Sequence, residues 1–320
     1  MKKTPKLLIL AGTVLAFLFL FGIIFYNNFI KKSIYEENSQ HLLSTYEQVD
    51  KTFTMFVQHN WNALSDWSNN LQYLDDAENM KTLWYDFARR KDAWQYQDFY
   101  MFNENCDFIT AAGRDGNAPN IQGIFLDMYK TGQPVISSYI ASDSNRRIVF
   151  ALPMDVPYTI NGITYSGLAV SYNNDVVEKL IAGNIYQGQS DCYILTSDGN
   201  VLLSLEPKTE FLQKISNLFD FLNKYTNMTE TEITDLKKNI KNVSTGSLQC
   251  RYNNKNYYLV YEPTGINDWT IVGIIHDDVV DASMRRIQSI TIVLLLILNG
   301  CIALLLTGTV FALMDSRLRM

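Results

Sequence analysis

Three patterns of apolar and polar residues alternate along the chain. The first is unbroken apolarity: Leu7 to Ile30 contains no charged residue, and Ile287 to Met314 is interrupted only by Gln288, Asn299 and a few Ser and Thr. Each run supplies the roughly 20 apolar residues needed to cross hydrocarbon. Both are expected to be transmembrane helices, at 7–30 and 287–313. The second pattern is helical. Apolar residues recur at Leu42, Tyr46, Val49, Phe53 and Phe56, then with slips at Trp61, Leu64, Trp67, Leu71 and Leu74, with no Pro or Gly between Lys31 and Gly113. This 4-3 spacing predicts one long helix over 31–79, about 70 Å at 1.5 Å per residue. Its seam is open to packing on its own domain, on a second protomer, or on both, and a homodimer is the expected assembly.

The third pattern is short apolar runs separated by turn residues. In "FYMFNENCDFITAA", residues 99–112, two runs flank Asn103 to Asp107, and in "CYILTSDGNVLLSL", residues 192–205, two runs flank Thr196 to Asn200. Each reads as a hairpin, and the two superpose without a gap at an offset of 93 positions. After the first come a Gly-rich loop, a short helix around Gly123 to Lys130, a strand after Thr131-Gly132, and the strands "RRIVFALPM" and "GLAVSYN" with an Asn161-Gly162 turn between them that favours type I′. After the second come a helical insert over Thr209 to Asn242, with a capping-box signal at Thr229 and Glu232, and the strands "GSLQCRY", "NYYLVYEP" and "DWTIVGII". Both halves run hairpin, helical insert, three antiparallel strands, and then an acid followed by Val-Val, in "NNDVV" and "HDDVV". A proline, Pro153 or Pro263, follows the penultimate strand in each. Five matches in one order indicate an internal duplication. The acids Asp175 and Asp278 are read as helix caps.

Charge adds an orientation. Lys2, Lys3 and Lys6 precede the first span and Arg317 and Arg319 follow the second, which favours a cytoplasmic location for both ends. The first span is longer than a signal-peptide core and lacks a small-x-small cleavage pattern, so it is read as an uncleaved anchor. The protein is thus expected in the plasma membrane, with residues 31–286 outside the cytoplasm, a tail at 1–6, and 314–320 beginning a cytoplasmic segment whose output domain lies outside these residues. The chain carries −6 and its tails +4 (three Lys and two Arg less Asp315), leaving about −10 on residues 31–286. An acidic surface disfavours nucleic acid as a partner. Cys106, Cys192 and Cys250 lie in the outer region, an odd number without CxxC spacing, so neither a disulfide framework nor a zinc site is indicated, although one Cys192–Cys250 bridge fits an oxidising compartment.

The chain has no nucleotide-binding Gly loop, HExxH, Gly-x-Ser-x-Gly or CxxC, and its three histidines, His41, His59 and His276, are scattered. No catalytic residue, metal or cofactor is expected. His276-Asp277-Asp278 is read as a strand-to-helix junction in preference to a cation site.

The order of elements between two spans resembles the double Cache sensor regions of bacterial transmembrane receptors, with "GQPVISSYI", "IVFALP" and "YYLVYEPTGINDWTIVGI" as the best local matches. The resemblance implies an α+β fold in which one long N-terminal helix carries two tandem PAS-like antiparallel sheets, the membrane-distal unit over 80–182 and the membrane-proximal unit over 183–286. It implies a receptor that detects a small solute and signals through the second span to an output. The expected output is a histidine kinase; the alternatives are a diguanylate cyclase, a chemoreceptor, or an interaction module without a solute. In PAS-like units the ligand lies between the sheet and the insert after the first hairpin, which nominates Tyr100, Arg114, Asp115, Tyr139, Asp143, Arg147 and Phe150. Trp61, Trp67, Trp84 and Trp94 read as core or seam residues. Amino-acid sensors of this family carry an Arg-x-Trp-Tyr run where this chain has "GIFLDMYKTG", so the guanidinium that would clamp a carboxylate is missing from that position.

Overall fold

A computed structural model describes residues 4–71, 95–118, 122–141, 145–182, 189–204 and 215–281, with scattered positions elsewhere; within the first helix, side chains are described continuously from Lys32 onward. The chain divides into a unit of residues 1–41 with 277–320 and a unit of residues 42–276.

Helix α1 runs Thr4–Leu71. The backbone of the first apolar run is therefore helical, while the side chains of residues 7–20 and most of residues 295–320 lie outside the described set. Among the described residues no helix is both long and apolar enough to cross a membrane. In the smaller unit, residues 277–281 are helical, and Asn38 Nδ2 donates to Asp281 Oδ1 at 2.6 Å.

In the larger unit α1 buries Leu42, Tyr46, Val49, Phe53, Val57, Asn60, Leu64, Ser68 and Leu71. This seam has no slips, because the buried positions after Phe53 include two polar residues that an apolar template passes over. Asn60 holds its place by hydrogen bonds: its Nδ2 donates to the Phe56 carbonyl at 2.9 Å and its Oδ1 accepts from the Tyr172 hydroxyl at 2.7 Å. Trp61 and Trp67 are half-buried beside the seam, and the helix ends at Leu71; Leu74, Trp84 and Trp94 lie outside the described residues.

Two antiparallel sheets pack on this helix. The first contains β1 (Asp98–Phe102), β2 (Asp107–Thr110), β3 (Asp115–Asn117), β4 (Val135–Ile140), β5 (Arg146–Ile160) and β6 (Ile163–Asn173), in the order β3-β2-β1-β6-β5-β4. Helix α2 (Gln122–Thr131) lies between β3 and β4, and α3 (Asn174–Ala182) follows β6. The second contains β7 (Ser190–Leu195), β8 (Val201–Ser204), β9 (Gly246–Tyr252), β10 (Lys255–Pro263) and β11 (Thr270–His276), in the order β8-β7-β11-β10-β9. Apart from β3, the two orders are the same. Among the described residues the expected helical insert contains two helices, α4 (Leu218–Tyr225) and α5 (Glu230–Lys241), the latter opened by the Thr229/Glu232 capping box.

The duplication reaches the level of single hydrogen bonds. In the β1–β2 turn Asn103 N–H donates to the Asp107 carbonyl and Cys106 N–H to the Asn103 carbonyl; in the β7–β8 turn Thr196 donates to Asn200 and Gly199 to Thr196, all four at the same 93-residue offset. The left-handed residue is Cys106 (φ 61°) in one turn and Gly199 (φ 83°) in the other.

Several expectations are corrected. Strand β3 has no counterpart in the sequence reading because its three residues are all exposed and carry no apolar signal. It is held by side chains: Asn117 Nδ2 donates to Asp107 Oδ1 and to the Asn105 carbonyl, both at 2.8 Å. Strand β5 continues through Pro153 to Ile160, where Asn161 and Gly162, at φ 51° and 80°, make the expected type I′ turn. Pro153 is tolerated because pairing with β4 ends at Ala151 and the β6 register shifts between Pro153 and Tyr158. Asp175 falls in the first turn of α3, past the cap position, where it complements the positive helix end. Cys106, Cys192 and Cys250 are free and buried. Cys192 and Cys250 sit on opposite faces of the second sheet, since Cys192 pairs with Gly273 beneath α1 while Cys250 joins the cluster under α4 and α5.

Strand alternation assigns one face of each sheet to α1. Phe56 meets Phe150 and Tyr172 edge-on at 5.4 and 5.2 Å, Phe53 stacks on Trp269 at 6.2 Å, and the Tyr46 ring lies over Gly273. A Cβ at Gly273 would overlap that ring. We expect Gly273→Ala to cost about 1–3 kcal/mol by overpacking, read as a lower urea midpoint at unchanged m-value.

Two acids are also caught at this junction. Burial raises the pKa of Asp50 on α1 and of Glu262 on β10, and each has a buried carboxylate oxygen without a hydrogen-bond partner among the described residues. A raised folded pKa stabilises fully only below the unfolded values of 3.8 and 4.5, and that stability is lost as pH rises through the folded values. Asp50→Asn and Glu262→Gln should therefore raise the urea midpoint at neutral pH, with the gain fading towards about pH 4.

Candidate functional site

On the face of the first sheet turned away from α1 lies a cavity of about 390 Å³. Its lining follows from strand alternation. On β1, Asp98, Tyr100 and Phe102 point into it while Phe99 and Met101 face the helix; on β2, Phe108 and Thr110 contribute; β5 sends in Arg147, β4 Tyr139 and α2 Phe125. Arg114 and Asp115 at the start of β3 and Cys106 in the hairpin turn complete much of the wall.

The cavity has a charged end and an apolar end. At the charged end the Asp98 carboxylate, about 10% exposed, accepts from Arg114 Nη2 at 2.7 Å through Oδ1 and lies 3.6 Å from Arg147 Nη1 through Oδ2. Arg147 is itself only 12% exposed, whereas Arg114 is 67% exposed. Beside them three hydroxyls form a chain, with Tyr100 Oη 2.9 Å from Ser171 Oγ and 3.4 Å from Tyr139 Oη. Burial drives the Tyr100 pKa well above that of a free phenol, so it stays a neutral donor. At the apolar end Phe102 stacks on Phe125 at 3.8 Å and Phe108 meets Tyr100 edge-on at 6.1 Å. Tyr129 of α2 braces this end, donating to the Phe102 carbonyl at 3.2 Å, and burial pushes its pKa up to about 12. At the rim, hydrogen bonds from Asn117 and Asn103 hold the Asp107 pKa below the usual carboxylate value.

Of the seven residues nominated from sequence, Tyr100, Arg114, Asp115, Tyr139 and Arg147 line the cavity. Phe150 does not: it is buried on the opposite face against Phe56 and Tyr172. Residues 147 and 150 are three apart on one strand, so period-2 alternation already forbids both from facing one cavity. Asp143 lies outside the described residues. Asp98, the centre of the charged end, was missed, although it stands two residues before Tyr100 on the same strand face. Cys106, with its pKa raised by burial, packs into the wall beside Phe102 and Phe125.

Among the described residues the same face of the second sheet carries an apolar core. Tyr193, Leu195, Tyr257, Leu259, Tyr261, Val272 and Ile274 pack there against Leu218, Phe219 and Leu222 of α4 and Ile233, Leu236 and Ile240 of α5. Among the described residues, two amphipathic helices cover this face of the second sheet, and one, α2, covers part of that of the first.

No protein-family model matches the chain. No curated protein does either. Solved structures are similar in fold. The sensory domain of the Campylobacter jejuni chemoreceptor Tlp3 with isoleucine bound aligns at TM-score 0.52 and 11% identity over 79% of this chain and 98% of that one. The same receptor's ligand-binding domain in complex with L-valine gives 0.51, 11%, 79% and 98%. The ligand-binding domain of the Pseudomonas aeruginosa PAO1 amino acid chemoreceptor PctB in complex with L-Arg gives 0.56, 13%, 78% and 92%. The chain thus has the fold of these sensory domains, as its resemblance to double Cache regions implies.

The ion triad makes a sharp prediction about stability. Asp98→Asn removes the carboxylate charge that faces both Arg114 and Arg147 and should cost about 3 kcal/mol in urea denaturation. Removing the exposed partner by Arg114→Gln should cost under about 1 kcal/mol.

Proposed function

We propose that this protein is a transmembrane sensor whose first sheet binds a small extracytoplasmic solute and whose second sheet carries the change towards the membrane. The observation that supports it is the asymmetry of the duplication: one outer face holds a polar-and-aromatic cavity and the other a filled apolar core. The chemoreceptor domains of the same fold were solved with amino acids bound, which supports a small solute as occupant.

The order of contacts along α1 supports the distal and proximal assignment. Tyr46 and Phe53 meet the second sheet, and Phe56 and Asn60 the first, so the second sheet's contacts on α1 come first in sequence after the proposed membrane span at 7–30. The uncharged runs at 7–30 and 287–313 support two spans and a location in the plasma membrane.

A relay between the sheets is built into adjacent residues. Arg147 points into the cavity, while Arg146 Nη1 donates to the Val201 and Leu202 carbonyls of β8 at 2.8 and 3.3 Å. Asn174 Nδ2 adds a bond to the Ser204 carbonyl at 2.6 Å, and Asn267 Nδ2, in the β10–β11 turn, one to the Ile136 carbonyl of β4 at 3.1 Å. A solute that repositions Arg147 therefore moves a strand end anchored on the second sheet, and it biases the output by its differential affinity for the two arrangements.

A thermal-shift screen of a broad solute panel on the full chain in detergent tests this reading. At least one solute should stabilise the protein, and Ala118→Trp, which adds a ring at the cavity wall, should remove that stabilisation; a panel without any stabiliser would count against a sensor. Arg146→Gln should leave the solute's affinity within about threefold but abolish the protection it gives β8 amides in hydrogen exchange.

A further inference from the structure

The packing of α1 on the second sheet sets two carboxyl groups against each other. The Tyr46 ring lies over Gly273, which pairs with Val260 of β10, and Phe53 stacks on Trp269, just before the pairing of Thr270 with Pro263. From Tyr46 to Phe53 the helix rises about 10 Å at 1.5 Å per residue, and from Val260 to Pro263 the strand also advances about 10 Å. Helix and strand therefore run level between these contacts. Leu259 and Tyr261 pack under α4 and α5, so alternation turns Val260 and Glu262 towards α1. Asp50, one turn past Tyr46, thus comes level with Glu262, and both are half-buried. Each has a buried carboxylate oxygen, Asp50 Oδ1 or Glu262 Oε2, without a hydrogen-bond partner among the described residues.

We propose that Asp50 and Glu262 form a proton-linked clasp between α1 and the second sheet. In acid, a proton from water binds one carboxylate and its O–H donates to the other, which draws α1 onto β10; at neutral pH two facing anions push them apart. The described groups around the pair do not neutralise it. On α1, Lys51 Nζ is held by Glu47 Oε1 at 2.7 Å, and both side chains are more than half exposed, where water screens them. Ahead of β9 the neutral Thr245 hydroxyl bonds Glu262, and ahead of β11 Asp268 accepts from the Ser197 N–H and hydroxyl at 3.0 and 2.6 Å. Burial is the main cause that raises the pKa of both acids; the charges of Asp50 and Glu47 add to it at Glu262, and Lys51 offsets part of it at Asp50. A raised carboxyl pKa contributes its full stability below the unfolded values of 3.8 and 4.5 and loses it as pH rises through the folded values, so the clasp closes on the acid side. That this acidity is outside the cell rests on the sensor reading above; the clasp itself does not, and it needs no solute.

Hydrogen exchange of the full chain in detergent, without solute and corrected for the intrinsic pH dependence of the rates, tests the clasp. At about pH 7.5 Asp50→Asn and Glu262→Gln should each protect the β10 amides about tenfold better than wild type, and that ratio should fall to about one at about pH 4, where the wild-type clasp is closed. The double variant should add less than about twofold to either single one, because one substitution already removes the facing anions. Glu47→Gln should give less than about twofold protection at either pH. Single variants no better protected than wild type at neutral pH would overturn the clasp. So would a double variant whose effect is the product of the two single ones, which would make the acids independent. Neutral-pH protection of wild type by millimolar Ca²⁺ or Mg²⁺ that both single variants lose would overturn it too, by making the pair a cation site. None of these outcomes bears on the thermal-shift screen for solutes, so the clasp and the sensor reading fail separately.

Discussion

Everything in the larger unit depends on one constraint: each sheet must give a whole face to α1. Strand side chains alternate, so once Phe150 and Tyr172 are committed to Phe56, and Gly273 to Tyr46, the residues between them are directed to the other face. The helix thereby decides which half of each strand is structural and which half is available for binding. It also sets the distance between the two sheets along its axis, since Phe53 and Phe56 reach different sheets from adjacent turns.

The two copies then diverge on the available face. In the second sheet, α4 and α5 present Leu218, Leu222, Ile233, Leu236 and Ile240 and close the space with apolar contacts. In the first sheet, α2 buries Phe125 and Met128 at one end only, and the other end is occupied by Asp98 and its arginines. The same strand order thus carries an apolar core in one sheet and a polar cavity in the other, and Arg146 and Asn267 link the two sheets by hydrogen bonds.

Much of this was legible in the sequence because periodicity reports burial directly. The α1 seam, the two hairpins and the shared strand order follow from spacing, and the five nominated residues that line the cavity follow from the ligand position that the PAS-like resemblance implies. What escaped has specific causes. Asn60 and Ser68 are polar residues in a buried seam, made tolerable in the case of Asn60 by Tyr172 and the Phe56 carbonyl, partners that no local pattern announces. Strand β3 is exposed and held by Asn117, so it has no apolar signature. Asp98 reads as an ordinary strand-edge acid until Arg114 and Arg147, distant in sequence, are brought to it by the fold. The choice of Phe150 was an error of alternation that the sequence itself contained the means to correct.

The most direct measurement is a crystal structure of the chain grown with a stabilising solute. The account predicts the solute between Arg147 and Phe102 on the outer face of the first sheet, with the packed face of the second sheet unchanged. Solute lodged against α4 and α5, or on α1, with the first cavity unoccupied, would contradict it.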